Sequence, residues 1–260
     1  MRRFIVFLLL LFLLPIASTA SYKEEKSTRA YADSIESLYE IKIIFDTECI
    51  DHQPSGDYSI ITTPLHSSPL ISMLCTADYT LALETLSAAL SLYPDNYFSA
   101  FRCPSSLSGL MIVIPFQVWD NNFGVVGGLY LSEGDGYSCI YLGADGLTPA
   151  TIHHEIWQAT EGRICADNRK AFSGWSKLNP KGFKYKGDHY GDLVTPEKHA
   201  DYFVYEYSKA TDWEDRASVA EMWFSESETW WEEHPKIRIK LDRMKKEARK
   251  VEGFRGLLEK

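Results

Sequence analysis

The chain has 260 residues, 45% hydrophobic and 13% aromatic, which supplies a packed core for one large or two small domains and excludes a disordered polymer. A formal net charge of −9 leaves no basic field to draw phosphate, so nucleic acid is not an expected partner. Five cysteines (Cys49, Cys75, Cys103, Cys139, Cys165) form no CxxC pair and no metal-cluster spacing.

Met1-Arg2-Arg3 precedes an unbroken apolar run from Phe4 to Leu14, then Pro15 and the small residues Ser18-Thr19-Ala20. The run is about half the roughly 20 residues a membrane span needs. It predicts a secretory signal peptide over residues 1–20, cut after Ala20, and a secreted or periplasmic product without a stable membrane anchor. In that compartment one or two disulfides are expected, with their pairing open and at least one thiol left over.

Residues 21–29 are a polar lead-in. Tyr31, Ile35, Leu38 and Tyr39 sit near helical spacing and predict a helix over Ala30–Glu40; Ile41–Phe45 then turns to a β-rich run. Pro54, Ser55 and Gly56 mark a loop before a short strand, Tyr58–Ile61. Asp78–Tyr93 predicts an amphipathic helix with Leu81, Leu86, Leu90 and Tyr93 as its stripe and Pro94 as its stop. From Gly109 the texture changes. Leu110–Trp119 predicts one buried strand. Val125–Leu131 predicts a second, with Gly127 and Gly128 open to close approach, and Ser138–Leu142 a third. Thr148 can cap and Pro149 can open a helix that Gly162 would end. Phe172, Trp175, Phe183 and Tyr185 predict a ring-packed loop over 171–186. A helix starting at Asp212 or Trp213 and a tail helix with Ile237, Leu241, Met244, Ala248 and Val251 on one face complete the chain. The division expected is an N-terminal α/β part, residues 21–108, of the same domain as a core over 109–260. The fold class is α+β, with a mainly antiparallel sheet leading into the 148–162 helix.

That helix contains His154-Glu155-Ile156-Trp157-Gln158, one residue away from His-Glu-x-x-His. In that motif two imidazoles at i and i+4 hold one zinc and the intervening Glu acts on the bound water. Sixty residues on, Glu214 stands in the first turn of a helix, where the positive end favours a carboxylate. Over residues 148–224 the chain resembles secreted bacterial zinc metallopeptidases of the gluzincin type, close to the lethal-factor-like group. The likeness rests on the broken motif, on Trp175–Tyr185 and on Phe203–Ala217. It implies a zincin-like fold, Zn2+ as cofactor and peptide or protein as partner. It also implies His154 and Glu214 as ligands, Glu155 as base and Tyr207 as the phenol that steadies the oxyanion. Two departures stand out: Gln158 where the second ligand His belongs, and Ser218 where an acidic residue often follows.

A neutral amide is a poor zinc donor. Glu161, one turn beyond Gln158, could replace it as ligand or hold its amide. His153 points about 100° away and packs or supports from outside. His189 and His199 read as solvated loop residues. Without the resemblance, His154 and Glu155 are ordinary polar residues on a helix, Glu214 a helix-start carboxylate and Tyr207 a packing aromatic. Two functions therefore stand side by side: a secreted zinc peptidase, or an inactive pseudopeptidase that binds peptide or protein. A sugar platform on Trp230 and Trp231 is the weakest of the readings; those rings and Trp223 are expected to pack.

Overall fold

The computed structural model describes residues 27–62, 78–102, 109–132, 138–187 and 193–258. The expected signal peptide, Cys75, Cys103 and His189 lie outside them. Among the described residues no helix is long and apolar enough to cross a membrane.

The architecture is α+β. Its elements are α1 (27–39), β1 (Lys42–Phe45), β2 (Tyr58–Ile61), α2 (Tyr79–Leu90), β3 (Leu110–Ile114), β4 (Gln117–Asp120) and β5 (Gly124–Val126). They continue with β6 (Gly128–Ser132), β7 (Ser138–Leu142), α3 (Pro149–Asp167), α4 (Asp212–Ser225), α5 (Glu228–Glu233) and α6 (Pro235–Ala248). One sheet has the order β1-β3-β7-β6, and the other β2-β4-β5.

The larger sheet is not mainly antiparallel. β1 pairs in parallel with β3, and β3 with β7; only β6 runs against its neighbour, and it forms an edge. Parallel pairing needs long crossovers. β2 and α2 supply one between β1 and β3, and β4 to β6 supply the other. The expected strand Leu110–Trp119 divides because Pro115 has no N–H to continue a ladder. The chain leaves the larger sheet after Ile114 and starts β4 in the smaller one. Val125–Leu131 likewise divides at Gly127 into β5 and β6.

Period-two alternation gives the larger sheet two apolar faces. Ile43, Ile112, Ile114, Ile140 and Leu142 join the main core with the helices. Ile44, Val113, Cys139 and Tyr141 point the other way, onto Ile60 and Val118 of the smaller sheet. The stripe of α2 is rotated from the expected one: Leu81 is exposed, while Ala82, Leu83, Leu86, Ala89 and Leu90 are buried. α6 buries Ile237, Leu241, Met244 and Ala248.

Gly162 does not end its helix. α3 continues to Asp167, and a Cβ on Gly162 would lie 2.4 Å from the Tyr130 hydroxyl. The glycine is there to let β6 press on α3.

Candidate functional site

Two capped helices position the site. Thr148 accepts from Thr151 N at 3.2 Å and Pro149 opens α3. Thr211 accepts from Glu214 N at 3.1 Å at the start of α4. The missing cap of either helix would cost about 1 kcal/mol.

α4 is then fixed by buried charge. Lys240 of α6, with no exposed surface, donates to both Asp215 oxygens (2.8 and 2.7 Å) and to the Tyr202 carbonyl (2.6 Å). Trp175 Nε1 and the Tyr185 hydroxyl also donate to Asp215, at 2.9 and 2.6 Å. Arg216 grips Glu161 of α3 through Nε (2.6 Å) and Nη2 (2.5 Å), with Phe172 and Trp175 stacked over its guanidinium. The ring-rich loop is thereby tied to the helix that carries Glu214. Glu161, expected as a substitute ligand, is committed to Arg216.

His154 and Glu214 meet between α3 and α4. His154 Nε2 lies 2.8 Å from Glu214 Oε2, and His154 Nδ1 lies 2.7 Å from Glu221 Oε1. A carboxylate on each nitrogen favours the imidazolium, the form that donates from both. Burial alone would depress its pKa, but the hydrogen bonds to Glu214 and Glu221 outweigh that and hold it well above 6.5. Burial would likewise raise Glu214; the bonds from His154, Tyr207 and Gln158 bring it below its ordinary value. Gln158 Nε2 donates to both Glu214 oxygens (3.2 and 3.3 Å) and lies 3.0 Å from His154 Nε2, so two donors converge on one carboxylate. The Tyr207 hydroxyl joins them on Glu214, its pKa raised by burial and then by that carboxylate.

Glu221 escaped the sequence reading. It follows Glu214 by seven residues, two helical turns along the same face of α4, and that spacing was the available signal. Its partner could be known only once α3 and α4 were packed. Ser218, between them, turns its hydroxyl back to the Glu214 carbonyl at 2.7 Å.

Glu155 is buried, and its Oε2 has no hydrogen-bond partner among the described residues. Burial first, then the neighbouring Glu214 and Glu221 charges, push its pKa up to about 8 against the pull of His154. A Cβ on Gly128 would lie 2.7 Å from Glu155 Cγ, so only glycine on β6 leaves room for this side chain. His153 faces elsewhere: its Nδ1 is 3.0 Å from the Tyr93 hydroxyl and its ring stacks 4.2 Å from Phe224. Burial lowers its pKa to about 4, leaving it neutral. His199 sits edge-on to Phe183, 6.4 Å away.

A cleft of about 530 Å³ opens beside this network. Edge strand β6 and the preceding β5 supply one wall through Val125, Gly127 and Gly128, and α3 supplies the other through Thr151, His154 and Glu155. Tyr205, Tyr207 and Glu221 close one side, with Phe123 and Leu193 at an apolar rim.

No family model and no curated protein matches the chain. One solved structure does, described as a "putative zinc-binding metallo-peptidase" from Bacteroides caccae; it is 16% identical, covers 91% of this chain and 92% of its own, and has a TM-score of 0.46. The functional reading rests on this chain's own geometry.

That geometry does not fit a catalytic zinc. Such a site takes three good protein donors. Gln158 offers a neutral amide where a second imidazole would stand, and Glu161 is held by Arg216, which leaves His154 and Glu214. Among the described residues no group of three His, Cys, Asp or Glu is placed to hold a metal ion.

Proposed function

We propose that this chain is an exported peptide-binding protein, a pseudopeptidase on a zincin-like, gluzincin-type frame. One observation carries the reading: where a second imidazole would have to stand beside His154, Gln158 puts a neutral amide that hydrogen-bonds Glu214. A neutral amide is a poor zinc donor. What remains is a cleft along β6, which among the described residues ends its sheet.

An extended peptide laid beside β6 would complete the ladder at that edge and set its side chains alternately against the Phe123–Leu193 rim and into the cleft. Glu155, protonated at neutral pH, would donate a hydrogen bond to a peptide carbonyl. His154, Gln158, Glu214 and Tyr207 would shape the floor and perform no chemistry. The test is binding and cleavage of a degenerate peptide library. Retention of intact peptides, lost in Gly128→Ala because the added Cβ displaces Glu155, is expected. Turnover of the bound peptides sensitive to chelator would sink the proposal.

One observation favours the hydrolytic alternative. Glu155 and Tyr207 both line the cleft, as a base and a phenol would in a peptidase, and the buried Oε2 of Glu155 has no partner among the described residues. That reading requires a donor other than Gln158 to reach His154 and Glu214.

A further inference from the structure

A second cavity of about 310 Å³ lies where the end of α4 meets α5 and α6, and it shares no lining residue with the cleft. Its walls are aromatic and apolar: Trp223 and Phe224 from α4, Trp231 from α5 and Leu241 from α6. The first two rings stack at 5.5 Å. Indoles here pack, as the sequence suggested, yet they pack around a hollow.

The hollow also contains charge. Arg238 is already paired with Glu228. Lys245 is different: its ammonium sits 4.8 Å over the Trp223 ring, half-buried, and has no ion-pair partner among the described residues. Burial, then the neighbouring Arg238, lower its pKa below the ordinary lysine value. A cation–π contact stabilises such a group without neutralising it. The cavity is within the usual volume range of small-molecule sites, which pair apolar walls with a few placed polar groups.

We propose that this cavity binds a small aromatic carboxylate, with the carboxylate on Lys245 and the ring between Trp223, Phe224 and Trp231. The ligand is a free aromatic amino acid or the C-terminal residue of a peptide. Glu226 at the rim would favour the free amino acid by meeting its ammonium.

Calorimetry with three probes tests this on the full mature chain: N-acetyltryptophan, tryptophan and tryptophanamide. Saturable binding of N-acetyltryptophan is expected, with tryptophanamide at least about tenfold weaker, the usual worth of a charge-assisted hydrogen bond. Tryptophan binding more tightly than N-acetyltryptophan assigns the free amino acid; the reverse assigns a peptide C-terminus. Lys245→Met should remove the preference for the carboxylate and Lys245→Arg should keep it, both checked for native circular dichroism. In the wild type, ligand-induced NMR shifts should fall on the indole N–H groups of Trp223 and Trp231 and spare Trp119. Equal binding of the amide, no binding of any probe, or shifts centred on Trp119 would each overturn the proposal. None of these outcomes depends on the peptide cleft.

Discussion

Glu221→Gln isolates the contact that holds the His154 ring from its Nδ1 side. The amide keeps the shape and an acceptor oxygen for His154 Nδ1–H, but it removes one of the two charges that hold the imidazolium. A hydrogen bond to a charged group is worth about 1.5–3 kcal/mol net, and a neutral one about 1 kcal/mol. With both partners buried, the expected loss of stability is about 1–2 kcal/mol at pH near 6. The sign with pH follows from the raised folded pKa of His154. Its stabilisation is fully present below the unfolded value of about 6.5 and is lost as pH rises through the folded value. In Glu221→Gln the folded value is lower, so the loss still begins at the unfolded value but is complete at a lower pH. Urea unfolding across pH gives the stability, and the 15N shifts of the His154 ring report directly whether both nitrogens carry protons. A neutral His154 in the wild type at pH 7, or a variant with unchanged stability and unchanged ring shifts, would refute the reasoning.

Three further expectations follow from the same geometry. Asp215→Ala strands the fully buried Lys240 ammonium and should cost about 3–5 kcal/mol; Lys240→Met leaves Asp215 its Trp175 and Tyr185 donors and should cost less, so equal or reversed thermal shifts would contradict the network. Glu155 has a folded pKa near 8, above its ordinary 4.5, so its contribution falls as pH rises from 4.5 to 8; Glu155→Gln should flatten that stretch of the stability profile, and an unchanged slope would count against a protonated Glu155. Gln158→His places a second imidazole one turn from His154 and should create zinc binding that weakens as pH falls, because the His154 Nε2 proton must leave first; a variant that binds no zinc at any pH would show the frame itself to be wrong for metal.

Much of the scaffold could be read locally. Thr148 and Pro149 announced the start of α3 because caps are short-range chemistry, and the tail stripe from Ile237 to Ala248 announced α6 because burial repeats with the helical period. Long-range partners stayed hidden. Gly162 has the composition of a helix stop, and only the approach of Tyr130 explains it inside the helix. Leu110–Trp119 is apolar throughout, so no periodicity marked the change of sheet at Pro115, although the proline itself was a signal. The parallel pairing of β1 with β3 joins residues about 70 apart and leaves no local trace. At the site, the fate of Glu161 and the role of Glu221 were both set by how α3 and α4 pack. Helical spacing alone could place those carboxylates on a face but could not choose between Arg216, His154 and a metal.

Metal analysis of the purified wild-type protein decides whether a site with Gln158 in place of a second imidazole beside His154 holds zinc. The proposed pseudopeptidase should hold zinc far below one ion per chain after equilibration with zinc at neutral pH and keep its fold in chelator. One zinc per chain, removed by chelator and abolished by His154→Ala or Glu214→Ala, would contradict it.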